Sequence, residues 1–141
     1  MVTAAPGGKA LSTAEKLGLT KGMVVQELGW DDDVDDDLRV AVEDAIDAEL
    51  IEEAMEAVDV VLMWWRDDDG DLADGLVDSL TDLSSTGMVW VLTPKVGRDG
   101  HVDPADINEA AITAGLAHTT TASVSADWAA SRLVRPKGSR W

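Results

Sequence analysis

Cysteine, phenylalanine and tyrosine are absent from all 141 residues. Without cysteine the chain can form no disulfide, thiolate nucleophile, zinc–thiolate site or thiol redox sensor. Without Phe and Tyr, six tryptophans supply every aromatic ring: Trp30, Trp64, Trp65, Trp90, Trp128 and Trp141. His101 and His118 are the only histidines, and neither has a metal-ligand partner at helical spacing. No apolar run reaches the roughly 18–20 residues of a membrane-crossing helix. The small-residue N-terminus has no continuous apolar stretch of the signal-peptide kind, so the expected compartment is the cytoplasm.

Positive charge is scarce in one place above all. Between Glu27 and Asp82 there are 22 acidic side chains and two basic ones, Arg39 and Arg66. The rest of the chain carries nine Lys or Arg against six acids, and the formal net charge is −17. A field of that sign repels nucleic acid and anionic membrane and attracts a basic partner. The content is otherwise that of one globular domain, at 45% apolar and 28% charged.

Hydrophobic patterning divides the chain. Residues 1–12, with Pro6, Gly7 and Gly8, are expected to be disordered, a single domain to span 13–136, and a basic tail to occupy 137–141. Ser12 and Glu15 have capping-box spacing for a short helix near Thr13–Leu17. Met23–Leu28 and Val58–Trp65 read as buried strands, as does Met88–Thr93 after Gly87. Leu38, Val42, Ala45 and Ile46 share one face of a helix that is expected to continue into Leu50–Glu56. Leu72, Leu76, Leu80 and Leu83 mark a second helix. Asp103-Pro104 starts a third, over about Ala105–Ala114. Ala117–Val124 and Ala130–Val134 read as a closing hairpin. Short apolar strands alternating with helices predict an α/β fold. The predicted architecture is a single three-layer Rossmann-like domain, a trimmed methyltransferase-like sheet with parallel central strands and a C-terminal antiparallel hairpin.

Ligands of such sheets gather beyond the carboxyl ends of the strands. Here the first strand runs into Gly29, Trp30 and carboxylates. No G-x-G-x-x-G or G-x-x-x-x-G-K-[ST] motif is present, so a pyrophosphate site is not expected. An adenosyl-methionine cofactor has no phosphate and is the fairer candidate. The glycine-rich loop is missing and no cofactor is predicted; the alternative function is a small-molecule-binding or degenerate methyltransferase-like domain with a strand-end crevice of Trp30, Trp65, Arg66, Thr93, Lys95 and Arg98. Asp67, Asp69, Asp71 and Asp78 approach calcium-loop spacing. Leu72 stands where the loop needs glycine, and the bidentate Glu is lacking. Asp31–Asp37 fits no better, with Asp36 at position six and Val42 at position twelve, so no dedicated metal site is expected. Ser84, Ser85 and Thr119–Thr121 show no nucleophile elbow, and no catalytic residue is assigned.

What remains is surface recognition. Trp30 and Trp65 sit at strand exits beside acidic loops, and tryptophan is enriched in binding hot spots. The predicted contact set is Trp30, Asp31, Asp32, Asp33, Asp35, Asp36, Asp37, Trp65, Asp67, Asp68 and Asp69, facing a basic protein. Packing of the two rings against the sheet and capping of helix starts by the carboxylates are the competing roles. A nucleic-acid mimic is a third reading, given the acidic stripe Asp71, Asp74, Asp78 and Asp82.

Four segments carry a resemblance: Gly22–Arg39 (GMVVQELGWDDDVDDDLR), Trp64–Asp71 (WWRDDDGD), Val91–Arg98 (VLTPKVGR), and Thr119–Trp128 (TTTASVSADW) followed by Arg132-Leu133-Val134. Together they resemble an actinobacterial family catalogued as domain of unknown function 3052, over about Lys16 to Lys137. A mycobacterial relative looks like an oxidative-stress transcriptional regulator working with RNA polymerase and an alternative sigma factor. The resemblance therefore implies a cytoplasmic, non-enzymatic protein-binding regulator. Thiol sensing has been linked to that family, and a chain without cysteine cannot use it.

Overall fold

The computed structural model describes residues 16–136. The expected disordered segment 1–12, the start of the short helix at Thr13 and the basic tail 137–141 lie outside the described residues. Lys16 and Leu17 are helical, and Gly18 turns the chain at φ +69°.

Five strands and three further helices follow. They are β1 (Val25–Leu28), α1 (Asp36–Ile46), β2 (Val58–Trp64), α2 (Leu72–Ser79), β3 (Leu83–Pro94), α3 (Pro104–Thr113), β4 (Ala117–Ser123) and β5 (Trp128–Val134). The sheet order is β1-β2-β3-β5-β4. β1, β2 and β3 are parallel, while β5 is antiparallel to both β3 and β4. This is the predicted α/β architecture.

Period-two alternation in strands buried on both faces assigns alternate residues to two cores. Val60, Leu62, Trp64, Trp90 and Leu92 meet Leu38, Val42 and Ile46 of α1 on one face, with Leu17 and Leu19. Val61, Met63, Val89 and Val91 meet Leu72 and Leu76 of α2 and Ile107 and Ala111 of α3 on the other. Trp64 and Trp90 are core residues, as expected for tryptophans inside strands, and the Trp90 indole N–H donates to Leu17 O at 2.9 Å.

Three boundaries differ from expectation. α1 does not continue into Leu50–Glu56. Asp47 takes the left-handed conformation (φ 58°), and its N–H closes on Glu43 O. The Glu43 carboxylate then accepts from Leu50 N at 2.9 Å, which swings Ile51 into a parallel bridge with Gln26 beside β1. Leu83 is not on α2: it opens β3 and pairs with Val58, because the strand needs an apolar residue there more than the helix needs another turn. Gly87 therefore lies inside β3 instead of ending the helical unit. A Cβ there would stand 2.9 Å from Asp59 O, so the chain crosses its neighbour at the one residue without a side chain.

Candidate functional site

The carboxyl ends of β1 and β2 bring most of the predicted site residues to one rim. Asp35, Asp71 and Asp103 are N-caps of α1, α2 and α3, each accepting from a backbone N–H two or three residues on. Asp36 and Asp37 fill the first turn of α1, at the favourable end of the helix dipole. Asp31 accepts from Asp32 N at 2.7 Å and shapes the loop between β1 and α1. Asp32, Asp36, Asp37, Asp67 and Asp68 are exposed. Trp30 is the one exposed aromatic of the described residues, at 54%. Trp65 is half-buried instead. Its ring lies on α2 where Gly75 leaves space, and a Cβ at Gly75 would sit 2.7 Å from it.

Two arginines organise the interior of this rim. Arg66 is only 8% exposed. Its Nε donates to Asp33 Oδ2 at 3.0 Å, and its Nη2 donates to Asp33 Oδ1. Its Nη1 donates to Gly29 O at 2.7 Å and to Asp69 Oδ2 at 3.3 Å. The guanidinium also lies 5.4 Å from the Trp128 ring centroid, and Trp128 meets Trp64 edge to face at 4.8 Å. The hydrogen bond from Arg66 holds the Asp33 carboxyl below its ordinary value, with burial pulling the other way. Burial disfavours charge on Arg66, but Asp33 and Asp69 outweigh it and raise the guanidinium above its ordinary value.

Glu27 is a residue that the sequence reading passed over. It sits inside the apolar β1 at 5% exposure. Arg39 grips it with two bonds, Nε to Oε2 at 2.7 Å and Nη2 to Oε1 at 2.9 Å, and the Trp64 indole N–H adds a third at 2.9 Å. Hydrogen bonding to Glu27 raises the Arg39 guanidinium further. A lone acid in a buried strand is the signal that could have found this pair, because such a charge has to be matched. Gly29 is fixed by the same crowding: a Cβ would stand 2.2 Å from Trp64 O, at a φ of +77°.

The predicted crevice residues do not form one pocket. Trp30, Trp65 and Arg66 line an open cleft of about 430 Å³ with Asp31, Asp69 and Gly75. Arg98 lines another of about 390 Å³ with Asp33, Asp127 and Trp128. The Arg66–Asp33 pair joins the two linings. Thr93 is buried within β3, and Lys95 turns to Ser123 Oγ. Arg98 pairs with Asp127 at 3.0 Å. These residues are not gathered into one adenosyl crevice. The glycine after β1 admits the Trp64 carbonyl instead of a ligand, and its own carbonyl accepts from Arg66. Among the described residues, no three carboxylate or histidine side chains gather so as to hold a metal ion. No helix among them is long and apolar enough to cross a membrane.

The family model described as "Protein of unknown function (DUF3052)" matches residues 14–137. Proteins named Uncharacterized protein Rv2239c, of Mycobacterium tuberculosis, and Uncharacterized protein Mb2263c, of Mycobacterium bovis, are each 52% identical over 129 residues. The match covers 91% of this chain and 81% of each relative. Among solved structures, the chain resembles a SAM dependent methyltransferase from Aquifex aeolicus, with a TM-score of 0.54 and 12% identity over 88% of both chains. It also resembles the Burkholderia thailandensis 1,6-didemethyltoxoflavin-N1-methyltransferase, with a TM-score of 0.59 and 11% identity over 94% of this chain and 78% of that one. At such identities the likeness is one of fold.

Proposed function

Because the chain belongs to the family described as "Protein of unknown function (DUF3052)", we propose that it is a non-enzymatic binding protein: a methyltransferase-like sheet that works through its acidic rim. The observation that carries this reading is the engagement of Arg66. Its guanidinium lies between Asp33, Asp69, Gly29 O and the Trp128 face, at the carboxyl ends of the strands where sheets of this kind gather ligands. With that guanidinium engaged from within, the exposed features left at the rim are Trp30 and the carboxylates Asp32, Asp37, Asp67 and Asp68, while Asp36 pairs with Arg39. A basic protein surface is the complementary partner, and a central tryptophan ringed by charge is a sound anchor for it. RNA polymerase or a sigma factor, which bind a polyanion by nature, belong to that chemical class, and the role proposed is control of transcription under oxidative stress in the cytoplasm.

A salt titration of the complex with purified RNA polymerase or sigma factor tests the proposal. Affinity should fall steeply between low and high ionic strength, and Trp30→Ala should weaken binding at every salt concentration. Affinity indifferent to salt would remove the electrostatic reading. The second reading, a degenerate methyltransferase-like domain, is favoured by the cleft between Trp30 and Trp65. Millimolar adenosyl-methionine should then raise the melting temperature of the protein, and an unchanged melting temperature leaves the first reading alone.

A further inference from the structure

The two outer edges of the sheet are finished differently. On β1 the backbone is partly covered: Glu27 N donates to Ile51 O at 2.7 Å, Ile51 N donates to Val25 O at 3.1 Å, and the Gln26 amide donates to Glu52 O at 3.0 Å. β4 has no backbone partner on its outer side among the described residues, only the Lys16 side chain. Its sequence, AHTTTAS, contains no acid, lysine, arginine or proline, the residues that usually guard an edge. Threonine favours strands, and Thr119–Thr121 and Ser123 are exposed. Val124 N donates to Trp128 O. By alternation, Ala122 and Thr120 turn their backbone to β5, and Thr121 and Ser123 turn theirs outward. The outward position of Ser123 is seen directly, since its carbonyl accepts from exposed Lys16 Nζ at 3.2 Å.

Charge and apolar surface point the same way. From Ala117 to Lys137 the chain holds a single acid, Asp127, which Arg98 neutralises. In a molecule of net charge −17 this edge is where another copy can approach without acidic faces meeting. α3 packs beside β4 with Ile107 and Ala111 against the sheet. Asp106, Glu109, Ala110 and Thr113 line the cleft towards α2. A 100° step per residue puts Asn108 and Ile112 on the remaining flank, away from α2 and towards the β4 edge. Ile112 is 66% exposed there.

We propose that this chain forms a twofold homodimer through the β4 edge. A bulge between His118 and Thr120 limits the open stretch. An axis near Ala122 then pairs Thr121 of each copy with Ser123 of the other, antiparallel, joining two five-stranded sheets into one. Lys16 releases the Ser123 carbonyl on pairing. So short a ladder buries less than the roughly 1,200 Å² of a stable interface, and the α3 flanks with Ile112 close over it to supply apolar area.

Light scattering and sedimentation on the full chain test this. The mass should approach twice 15.0 kDa as concentration rises. Thr121→Pro removes an outward N–H without touching the β5 ladder, and Ile112→Glu charges the flank. Each should weaken the dimer at least about tenfold, a loss of roughly 1.4 kcal/mol, while buried-tryptophan fluorescence stays native. A mass fixed at 15.0 kDa, or a dimer that ignores both changes, would overturn the proposal. A full chain that stays monomeric while a version lacking residues 1–12 dimerises would also overturn it, and would assign the edge to the protein's own N-terminal segment.

Discussion

The β1–β2 end of the sheet and the β5–β4 end solve opposite problems. At the first, carboxylates crowd together and two arginines are drawn inward, where Arg39 matches buried Glu27 and Arg66 ties Asp33 to the strand ends. At the second, charge is sparse and order comes from backbone pairing, hydroxyl groups and the packing of Trp128 and Leu133. The contrast teaches that a dense charge pattern does not by itself define a binding surface. Part of it is consumed as structure: Asp35 and Asp71 cap helices, and Asp33 and Asp69 hold an arginine. Only the remainder faces a partner.

The comparison can be broken hardest at Gly29. A Cβ placed there at 2.2 Å from Trp64 O, with a positive φ, forces β1 away from β2. Gly29→Ala should destabilise the fold by about 3 kcal/mol or more, read by urea unfolding. Next comes the matched pair. Arg39→Ala leaves the Glu27 carboxylate buried with only Trp64 for company, and should cost about 3 kcal/mol. The double change of Arg39 to Met and Glu27 to Gln should recover much of that loss, because it removes both charges.

Asp33 gives a smaller effect with a defined pH dependence. Its folded value is depressed, so its stabilising contribution is present at neutral pH and is lost as pH falls below the ordinary carboxylate value of 3.8 and through the folded one. Asp33→Asn should therefore be less stable than the parent at pH 7. The gap should narrow as pH falls below 3.8, and it should stay within about 1 kcal/mol because the side chain is half exposed. Smallest in stability is Trp30→Ala, expected within about 0.5 kcal/mol of the parent, yet it should give the larger loss of partner affinity. At the quiet end, Thr121→Pro should leave the β1–β2 chemistry untouched and alter only association.

Much of the fold was legible in the chain. Short apolar runs located three strands, and apolar residues three or four positions apart located two helices, because burial imposes its period on the sequence. Tertiary demand moved the boundaries: Leu83 fits a helix face and a strand equally well, and pairing with Val58 decided between them. The site was legible only as a list. Trp30 was placed correctly at a strand exit, and the structure leaves its ring exposed. The division of the aspartates into caps, ion-pair partners and free charges depends on which side chains an arginine can reach across the sheet. Asp33 and Arg66 lie 33 positions apart, and Glu27 and Trp64 lie 37 apart, so no local pattern encodes either contact.

Composition alone determined that thiol chemistry is closed to this protein and that its middle third carries a strong negative field. Periodicity alone determined an α/β sheet. How Arg66 divides the strand-end crevice, and which edge of the sheet lacks a backbone partner among the described residues, were decided only when distant segments came together. Both depend on distances between residues that the order of the chain does not contain.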